Sequence, residues 1–342
     1  MAKMSRTLFL YYDPHYFHSA MAKAVKAEPW PAPKIRSAEG NPFQVAEDAL
    51  STLTAVLALP KDYDTYFCEG TYLFPALAKK FGLLKKETKI INIVSSPLFY
   101  YLKTGRIGGM RKSMAVSLLK QVDGFVCVGK MEEGLLKSFA PSANTMVTYP
   151  FIRKEVRSRI IKAGKPLLKS KKILFVGNRD TYYKGIDLLV AAFRIARQTI
   201  PDLELTILGD YDKDVIGKDK KGISCPGYVE NTSKYIKEAS LYVHLGRGEA
   251  FGVSVMEAML GGLPVLVSNA TGAKEIVSKI DQGMVVPLDA SRAADQIVRY
   301  FKLGDQQKAK LAAKGIEAVK KYQEEAVISQ FKKDYAKLLL HP

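Results

Sequence analysis

A glycine-rich loop runs directly into a predicted helix near the middle of the second half of the chain, and this arrangement suits phosphate binding. Residues 246–264 read GRGEAFGVSVMEAMLGGLP. In a helix beginning near Gly252, the first-turn amides lack partners within the helix and lie at the positive end of its dipole. Because Gly246 and Gly248 have no side chains, a ligand could approach the loop backbone closely. We therefore expect these amides to bind a phosphate without a metal ion.

Two glutamates flank the start of this predicted helix. Glu257 lies about one turn inside it, where its carboxylate could accept hydrogen bonds from ribose hydroxyls. Glu249 stands eight residues earlier in the loop, and we expect it to face the binding cleft rather than the helix surface. The pair suits a ligand in which a phosphate is joined to a ribose.

A second loop, over residues 177–185, carries basic side chains. It reads GNRDTYYKG, follows a predicted strand and opens another predicted helix. In a parallel sheet, both loops would leave the carboxyl edge, where ligands bind. We therefore expect Arg179 and Lys184 to reach the same phosphates and to neutralise the charge that grows as a diphosphate departs.

The elements that must position these loops are short apolar strands alternating with helical stretches. The strands predicted in the first half are Thr7–Tyr12, Tyr63–Cys68, Lys89–Val94 and Gly124–Val128. Those predicted in the second half are Lys172–Val176, Glu204–Leu208, Leu241–Leu245, Val265–Val267 and Met284–Val286. Buried strands separated by helices predict parallel sheets that are covered on both faces.

The strand–helix alternation restarts after about residue 170, which indicates two α/β units in tandem rather than one large sheet. We predict an α/β fold of two doubly wound, Rossmann-like domains over residues 1–150 and 151–318. Residues 319–342 form the end of a predicted helix that begins near Ile316 and carries an apolar stripe. This helix either packs on the domain that it follows or crosses back to the first domain.

The composition excludes several classes of protein. The apolar share of 47% and the charged share of 25% are those of a soluble globular protein, so disordered and fibrous chains are excluded. No apolar run is long enough to span a bilayer. The 52 basic and 34 acidic residues give a net charge of +18, which favours a polyanionic partner. Three well-separated cysteines suit a reducing cytosol, and we expect a cytoplasmic protein.

Residues 171–290 resemble the nucleotide-sugar-binding domain of family 4 glycosyltransferases, which have the GT-B fold. The family's pair of glutamates with seven residues between them matches Glu249 and Glu257. Residues 257–265, EAMLGGLPV, match the stretch that comes next in the family pattern. The family's basic pair matches Arg179 and Lys184. Residues 271–277 match a further turn of the family pattern. Several motifs in the same order make this resemblance specific.

The resemblance implies a retaining glycosyltransferase that needs no divalent metal and no cofactor, with a UDP-, GDP- or ADP-sugar as donor substrate. By the same resemblance, the two domains face each other across a cleft, with the acceptor on the side of the first. Arg179, Lys184 and Glu249 are the expected catalytic residues. The expected donor-binding residues are Gly177, Tyr228, Val229, Phe251, Gly252, Val253 and Glu257.

The first domain departs from the family pattern. Asp13-Pro14-His15 replaces the glycine-rich loop that often follows the first strand, and Ser95-Ser96 stands where many members have a histidine. We expect His15, Ser95 and Ser96 on the acceptor side. Asp210-Tyr211-Asp212 follows a strand, and we interpret it as a turn rather than a metal-binding motif.

Other functions remain open from the sequence. An epimerase or a phosphorylase of the same fold, or a donor-binding subunit without catalysis, would use the same donor loops. A nucleic-acid-binding protein would explain the charge, but the basic residues are dispersed, and we expect no nucleic acid partner. Residues 99–121 combine basic and aromatic side chains, which predicts either an ordinary packed helix or a surface that docks on anionic membrane beside a lipid-linked acceptor.

Overall fold

The computed structural model describes residues 5–13, 15–33, 42–178 and 180–340, without the side chains of 42–48 and 213. These residues form two compact units, one of residues 1–149 with 327–342 and one of residues 150–326. Each unit contains a six-stranded sheet in which every pair of neighbouring strands is parallel.

The first unit has the strand order β2-β1-β3-β4-β5-β6. Its strands are β1 (Thr7–Tyr11), β2 (Glu28–Pro31), β3 (Thr65–Glu69), β4 (Lys89–Val94), β5 (Gly124–Cys127) and β6 (Thr145–Val147). Its helices are α1 (Tyr16–Ala24), α2 (Pro42–Ala58), α3 (Leu73–Lys80), α4 (Leu98–Thr104), α5 (Gly109–Leu118) and α6 (Lys130–Lys137). The strand order reverses between β1 and β3, so the crevice where a doubly wound sheet binds ligands opens there.

The second unit has the strand order β12-β11-β10-β7-β8-β9, and its order reverses between β7 and β10. Its strands are β7 (Lys172–Val176), β8 (Glu204–Leu208), β9 (Ile223–Gly227), β10 (Leu241–His244), β11 (Val265–Ser268) and β12 (Val285–Val286). Its helices are α7 (Lys154–Ala163), α8 (Thr181–Lys184), α9 (Ile186–Thr199), α10 (Ser233–Glu238), α11 (Val253–Leu260), α12 (Lys274–Ile280), α13 (Ala290–Phe301) and α14 (Asp305–Val319).

The sequence patterns missed the two outer strands that contain proline. β2 is EPWP and β9 is ISCPG. Each forms a sheet edge and pairs with one neighbour, where a missing amide proton costs no ladder hydrogen bond on the open side. Proline is tolerated there for that reason, but it removes the alternating pattern by which strands are recognised.

The prediction of one continuous C-terminal helix is wrong. α14 ends at Val319, a turn follows, and α15 (Glu324–Leu340) begins after it. From Val327 onward, α15 belongs to the first unit. Phe331 and Tyr335 lie in its core, with ring centroids 6.2 Å and 5.6 Å from that of Phe67 on β3. This helix is therefore part of what holds the first sheet together.

We predict that Phe331→Ala destabilises the first unit. The side chain is fully buried, so its removal leaves a cavity, which costs about 3–5 kcal/mol. Urea unfolding followed by circular dichroism measures the loss. Lys332→Ala, an exposed position one residue further along α15, is the matched control, and equal stability of the two variants would contradict the packing described here.

Candidate active site

Two loops meet at the point in the second unit where the strand order reverses. One follows β7 and leads through Gly177 into α8, and the other follows β10 and leads through residues 245–252 into α11. Both loops leave the carboxyl edge of the sheet, which is where a doubly wound domain binds its ligand. The two segments singled out in the sequence are therefore neighbours in space.

Backbone contact between these loops depends on Gly185. This residue has a φ of +67°, and a Cβ atom there would lie 1.9 Å from the carbonyl oxygen of Leu245. Any other residue would have to move one loop, so glycine is required both by the conformation and by the space. The short helix α8 in front of Gly185 is capped by Asp180, whose Oδ1 accepts a hydrogen bond from the Tyr183 amide at 2.8 Å.

Side chains hold the two loops in register. Arg247 donates two hydrogen bonds of 2.7 Å to the two carboxylate oxygens of Asp187, and its guanidinium lies 4.2 Å from the ring centroid of Tyr182. The Tyr183 hydroxyl accepts a hydrogen bond from the Ala250 amide at 3.2 Å. A bidentate pair of this kind fixes geometry as well as adding energy. Sequence reasoning did not assign Arg247 this role.

Lys184 and Glu249 form an ion pair where the loops meet. The Lys184 ammonium lies 2.5 Å from Glu249 Oε2, and the Glu249 side chain is 11% exposed. His244, at the end of β10 beneath the loop, places Nε2 3.5 Å from the same oxygen. Burial alone would raise the pKa of Glu249, but the Lys184 charge and His244 outweigh it and lower the pKa to about 2. Glu249 is therefore ionised at neutral pH.

The glycine-rich loop is fixed by the loop that follows β11. The Gly272 amide donates to the Glu249 carbonyl at 2.8 Å, and the Ala273 amide donates to the Phe251 carbonyl at 2.8 Å. Gly252, with a φ of +91°, then turns the chain into α11. The amides of Val253 and Ser254 form the first turn of α11, where a helix leaves them available to an anion.

Glu257 lies in the second turn of α11. Burial raises the pKa of its carboxyl to about 7, although the positive charge of Arg153 acts in the opposite direction. Hydroxyl donors from a ligand would favour the ionised form of this carboxylate and so lower its pKa.

The other predicted donor residues have different surroundings. Gly177 directly follows β7, whereas Tyr228 is 68% exposed after β9 and Val229 is half-buried beside it. Arg179 lies outside the described residues.

The interpretation of Asp210-Tyr211-Asp212 as a turn is confirmed, because Asp212 Oδ1 accepts a hydrogen bond from the Asp214 amide at 2.9 Å and caps a short 3-10 helix.

The first unit carries a second cluster at its own point of strand reversal. His15 precedes α1, and its ring lies 4.9 Å from that of His18. His18 Nδ1 is 2.5 Å from Oε1 of Glu69, which ends β3, and both side chains are largely buried. Ser95 and Ser96 follow β4 and are half-buried. Glu69 was missed, because its 51-residue separation from His18 gives no local signal.

Over the described ranges, no three His, Cys, Asp or Glu side chains are grouped closely enough to hold a metal ion. Over the same part of the chain, no helix combines the length and the apolar character that crossing a membrane requires.

The family assignment follows from the second unit. The sequence profile of the family described as glycosyl transferases group 1 matches residues 170–302, the segment that holds both loops. This segment is a group 1 glycosyltransferase domain.

Related sequences match about half of this chain. A phosphatidyl-myo-inositol mannosyltransferase of Mycobacterium leprae is 30% identical over 182 residues, which are 51% of this chain and 48% of the relative. The chain spans about half the length of the curated relatives it matches.

Solved structures resemble the chain over nearly its whole length. Sucrose-phosphate synthase from Thermosynechococcus elongatus has a TM-score of 0.72 and 18% identity, covering 99% of this chain and 100% of that one. HepE from Anabaena, in complex with UDP and glucose, has a TM-score of 0.68 and 17% identity, covering 97% and 100%. The α/β fold predicted from the sequence, of the GT-B glycosyltransferase type, is confirmed.

We predict that ionisation of Glu257 lowers the stability of the second unit. Its pKa is about 7 in the folded chain and near 4.5 in the unfolded one, so the stability that it contributes at low pH is lost as pH rises through this window. Glu257→Gln should match the wild type at pH 5 and exceed it at pH 8, by at most about 3 kcal/mol. Urea unfolding at both pH values measures this, and a difference that does not change with pH would contradict it.

Proposed function

We propose that this chain is a retaining, metal-independent glycosyltransferase that moves a hexosyl group from a nucleoside diphosphate sugar to an acceptor. The observation that carries the proposal is the Lys184–Glu249 pair of 2.5 Å, placed beside the glycine-rich entry to α11 where the sheet order reverses. The site offers a cation, helix amides and a carboxylate within one crevice, which are the groups that a diphosphate and a sugar require.

Each donor group has a partner of suitable chemistry. The amides of Val253 and Ser254 and the Lys184 ammonium bind the diphosphate, and Arg179 adds a second cation there. Glu257 accepts hydrogen bonds from the ribose, and Glu249 from the hydroxyls of the sugar. The base lies near Tyr228 and Val229. UDP is the first nucleotide to test, because HepE, which has the same fold, is described in complex with UDP and glucose.

The reaction depends on charge stabilisation. As the bond to the anomeric carbon breaks, positive charge develops on the sugar and negative charge on the departing diphosphate. Once the donor is bound, the Lys184 ammonium and the α11 amides contact the diphosphate before the bond breaks, so little reorganisation opposes the stabilisation of that negative charge. They supply the electrostatic role that a divalent cation would otherwise fill.

The first unit supplies the acceptor side of this proposal. Glu69 fixes His18 through a 2.5 Å contact, and His15 stands beside it at the crevice between β1 and β3. A histidine oriented by a carboxylate can accept a hydrogen bond from an acceptor hydroxyl. The mannosyltransferase relative is named for a phosphatidyl-myo-inositol, which favours a hydroxyl on a lipid head group over a soluble glycan.

The test is transfer from UDP-, GDP- and ADP-hexoses to lipid, glycan and inorganic phosphate acceptors. A glycosylated lipid or glycan whose anomeric configuration matches that of the donor, formed in the presence of EDTA, supports the proposal. Transfer to phosphate would indicate a phosphorylase, conversion of the donor sugar an epimerase, and nucleotide binding without turnover a donor-binding subunit. Inversion of configuration or loss of activity in EDTA would overturn the corresponding part.

We predict that Lys184→Gln lowers turnover about 100-fold or more, the cost of removing one charge-stabilising donor from a transition state. Glutamine keeps a hydrogen-bond donor toward Glu249 and so limits the cost of leaving that carboxylate unpaired. Initial rates with saturating donor measure the change. Lys169→Ala, at an exposed position of the same unit, is the control. Normal turnover in a folded Lys184→Gln protein would contradict the assignment of Lys184.

We further propose that the protein is cytoplasmic and binds anionic membranes reversibly through residues 99–121. Five basic residues in this segment provide the charge, namely Lys103, Arg106, Arg111, Lys112 and Lys120. The sequence pattern predicts that the aromatic side chains of this segment contact the membrane. Phe99 cannot do so, because it is 2% exposed and packs in the core. Met110 and Met114, which are 86% and 46% exposed, offer apolar contact instead.

We predict that the chain sediments with vesicles containing anionic lipid at low salt and is released at high salt. Each basic residue at such a surface contributes about 1 kcal/mol, and salt screens the attraction. A variant with Arg106, Arg111 and Lys112 changed to Ser should sediment less. A wild type that ignores anionic vesicles would contradict membrane docking, and unchanged binding of the triple variant would place the surface elsewhere.

A further inference from the structure

The Lys184–Glu249 pair sets a conflict for the proposed function, on which this inference rests. Lys184 cannot direct its ammonium at a diphosphate and keep its 2.5 Å contact with Glu249 at full strength. Glu249 is buried, with 8% of the whole residue and 11% of its side chain exposed to solvent. A buried carboxylate without a partner strongly destabilises the folded protein. The sugar hydroxyls are neutral and do not replace the positive charge of Lys184, so donor binding requires a second cation to compensate Glu249.

His244 is placed to be that group. Its Nε2 lies 3.5 Å from Glu249 Oε2, the oxygen that Lys184 contacts. The ring is 1% exposed and stacks on Phe175 at a centroid distance of 5.3 Å. Within the described part of the chain, neither of its ring nitrogens has a hydrogen-bond partner. Buried polar atoms without partners cost free energy, and such atoms call for an explanation.

We propose that His244 replaces Lys184 as the partner of Glu249 when a nucleoside diphosphate binds, and that it takes up a proton from solvent in doing so. The Lys184 ammonium moves to the diphosphate. The imidazole gains one proton and donates a hydrogen bond from Nε2 to Glu249 Oε2. No covalent bond other than the N–H bond changes, and the buried carboxylate stays compensated.

The charges around His244 fix the direction of this coupling. Two charged groups face it, Lys184 from α8 and Glu249 from the loop after β10, while Phe175 from β7 and Tyr242 on β10 present neutral rings. Burial lowers the pKa of His244, and Lys184 lowers it further, whereas Glu249 raises it. Moving Lys184 away removes one of the lowering effects. The bound state therefore holds its proton more tightly, and by linkage the affinity for a diphosphate increases as pH falls.

Two variants of His244 separate the proposal from a purely structural role. His244→Gln keeps a donor for Glu249 but cannot titrate, and His244→Phe keeps the stacked ring but loses both nitrogens. Glu249→Gln removes the carboxylate that requires compensation. Because a nucleoside diphosphate has its own ionisation near neutral pH, the informative quantity is the difference in proton uptake between wild type and variant.

Isothermal titration with UDP, GDP and ADP, in buffers of differing ionisation enthalpy between pH 6 and 8, measures that difference. We expect the wild type to take up as much as about one proton more than His244→Gln, and Glu249→Gln to lose this excess. His244→Phe should bind about tenfold more weakly at pH 6, because Glu249 then lacks any donor. Thermal unfolding confirms that each variant is folded.

The outcomes distinguish this inference from the proposed function. If the wild type binds a nucleotide and takes up the same number of protons as His244→Gln, proton coupling at His244 is overturned while the proposed function stands. If the wild type binds none of the three nucleotides, the proposed function fails and this inference fails with it.

Discussion

A buried carboxylate, Glu249, is the constraint on which the arrangement of the second unit depends. The whole residue is 8% exposed, and the Lys184 ammonium at 2.5 Å keeps its carboxylate ionised. The position of Lys184 is therefore narrowly constrained. The short helix α8, which ends at Lys184, positions this side chain. Gly185 ends α8 and rests against the Leu245 carbonyl, and the Arg247–Asp187 pair ties the same two loops together. The loops are therefore fixed by the need to compensate one charge.

The sheet topology explains why these groups meet. β7 and β10 are far apart in the sequence but adjacent in the sheet, and their crossovers run in opposite directions. The loops after them cannot be covered by a crossover helix, so their polar atoms face a crevice. The first unit repeats this solution between β1 and β3, where His18 and Glu69 meet. In each unit, the point of strand reversal thus holds largely buried titratable side chains that contact one another.

The sequence predicted those parts of the site whose signals are local. The glycine-rich loop, Glu249, Glu257 and Lys184 are recognisable because spacing along a loop and a helix determines their relative positions. The ion pair of Lys184 with Glu249 was not predicted, since it depends on contact between loops 65 residues apart. The contact of His244 with Glu249 was not predicted either, although they lie only five positions apart, because the sequence does not show how the loop folds back over the end of β10.

The fold shows the same division between local and long-range signals. The buried central strands were predicted closely, because an apolar run bounded by turns is visible in the sequence. The edge strands β2 and β9 were missed, since proline disguises them. The break between α14 and α15 was also missed, because no glycine or proline marks residues 320–323 and the apolar stripe continues across it. Phe331 of α15 packs in the first unit, and this long-range contact has no local signal in the sequence.

The charge of the chain and the charge of the site act at different ranges. A net charge of +18 attracts anions in general, and this field falls off slowly enough to steer a ligand toward the surface. Among the described residues of the site, however, two cations already have anionic partners, Lys184 with Glu249 and Arg247 with Asp187. A ligand that carries a single carboxylate offers Lys184 no more than Glu249 already does. A diphosphate brings more negative charge and can also accept hydrogen bonds from the first turn of α11, so it can displace the internal partner. Under the proposed function, the internal ion pair therefore selects for ligands of higher negative charge, which the long-range field alone would not distinguish.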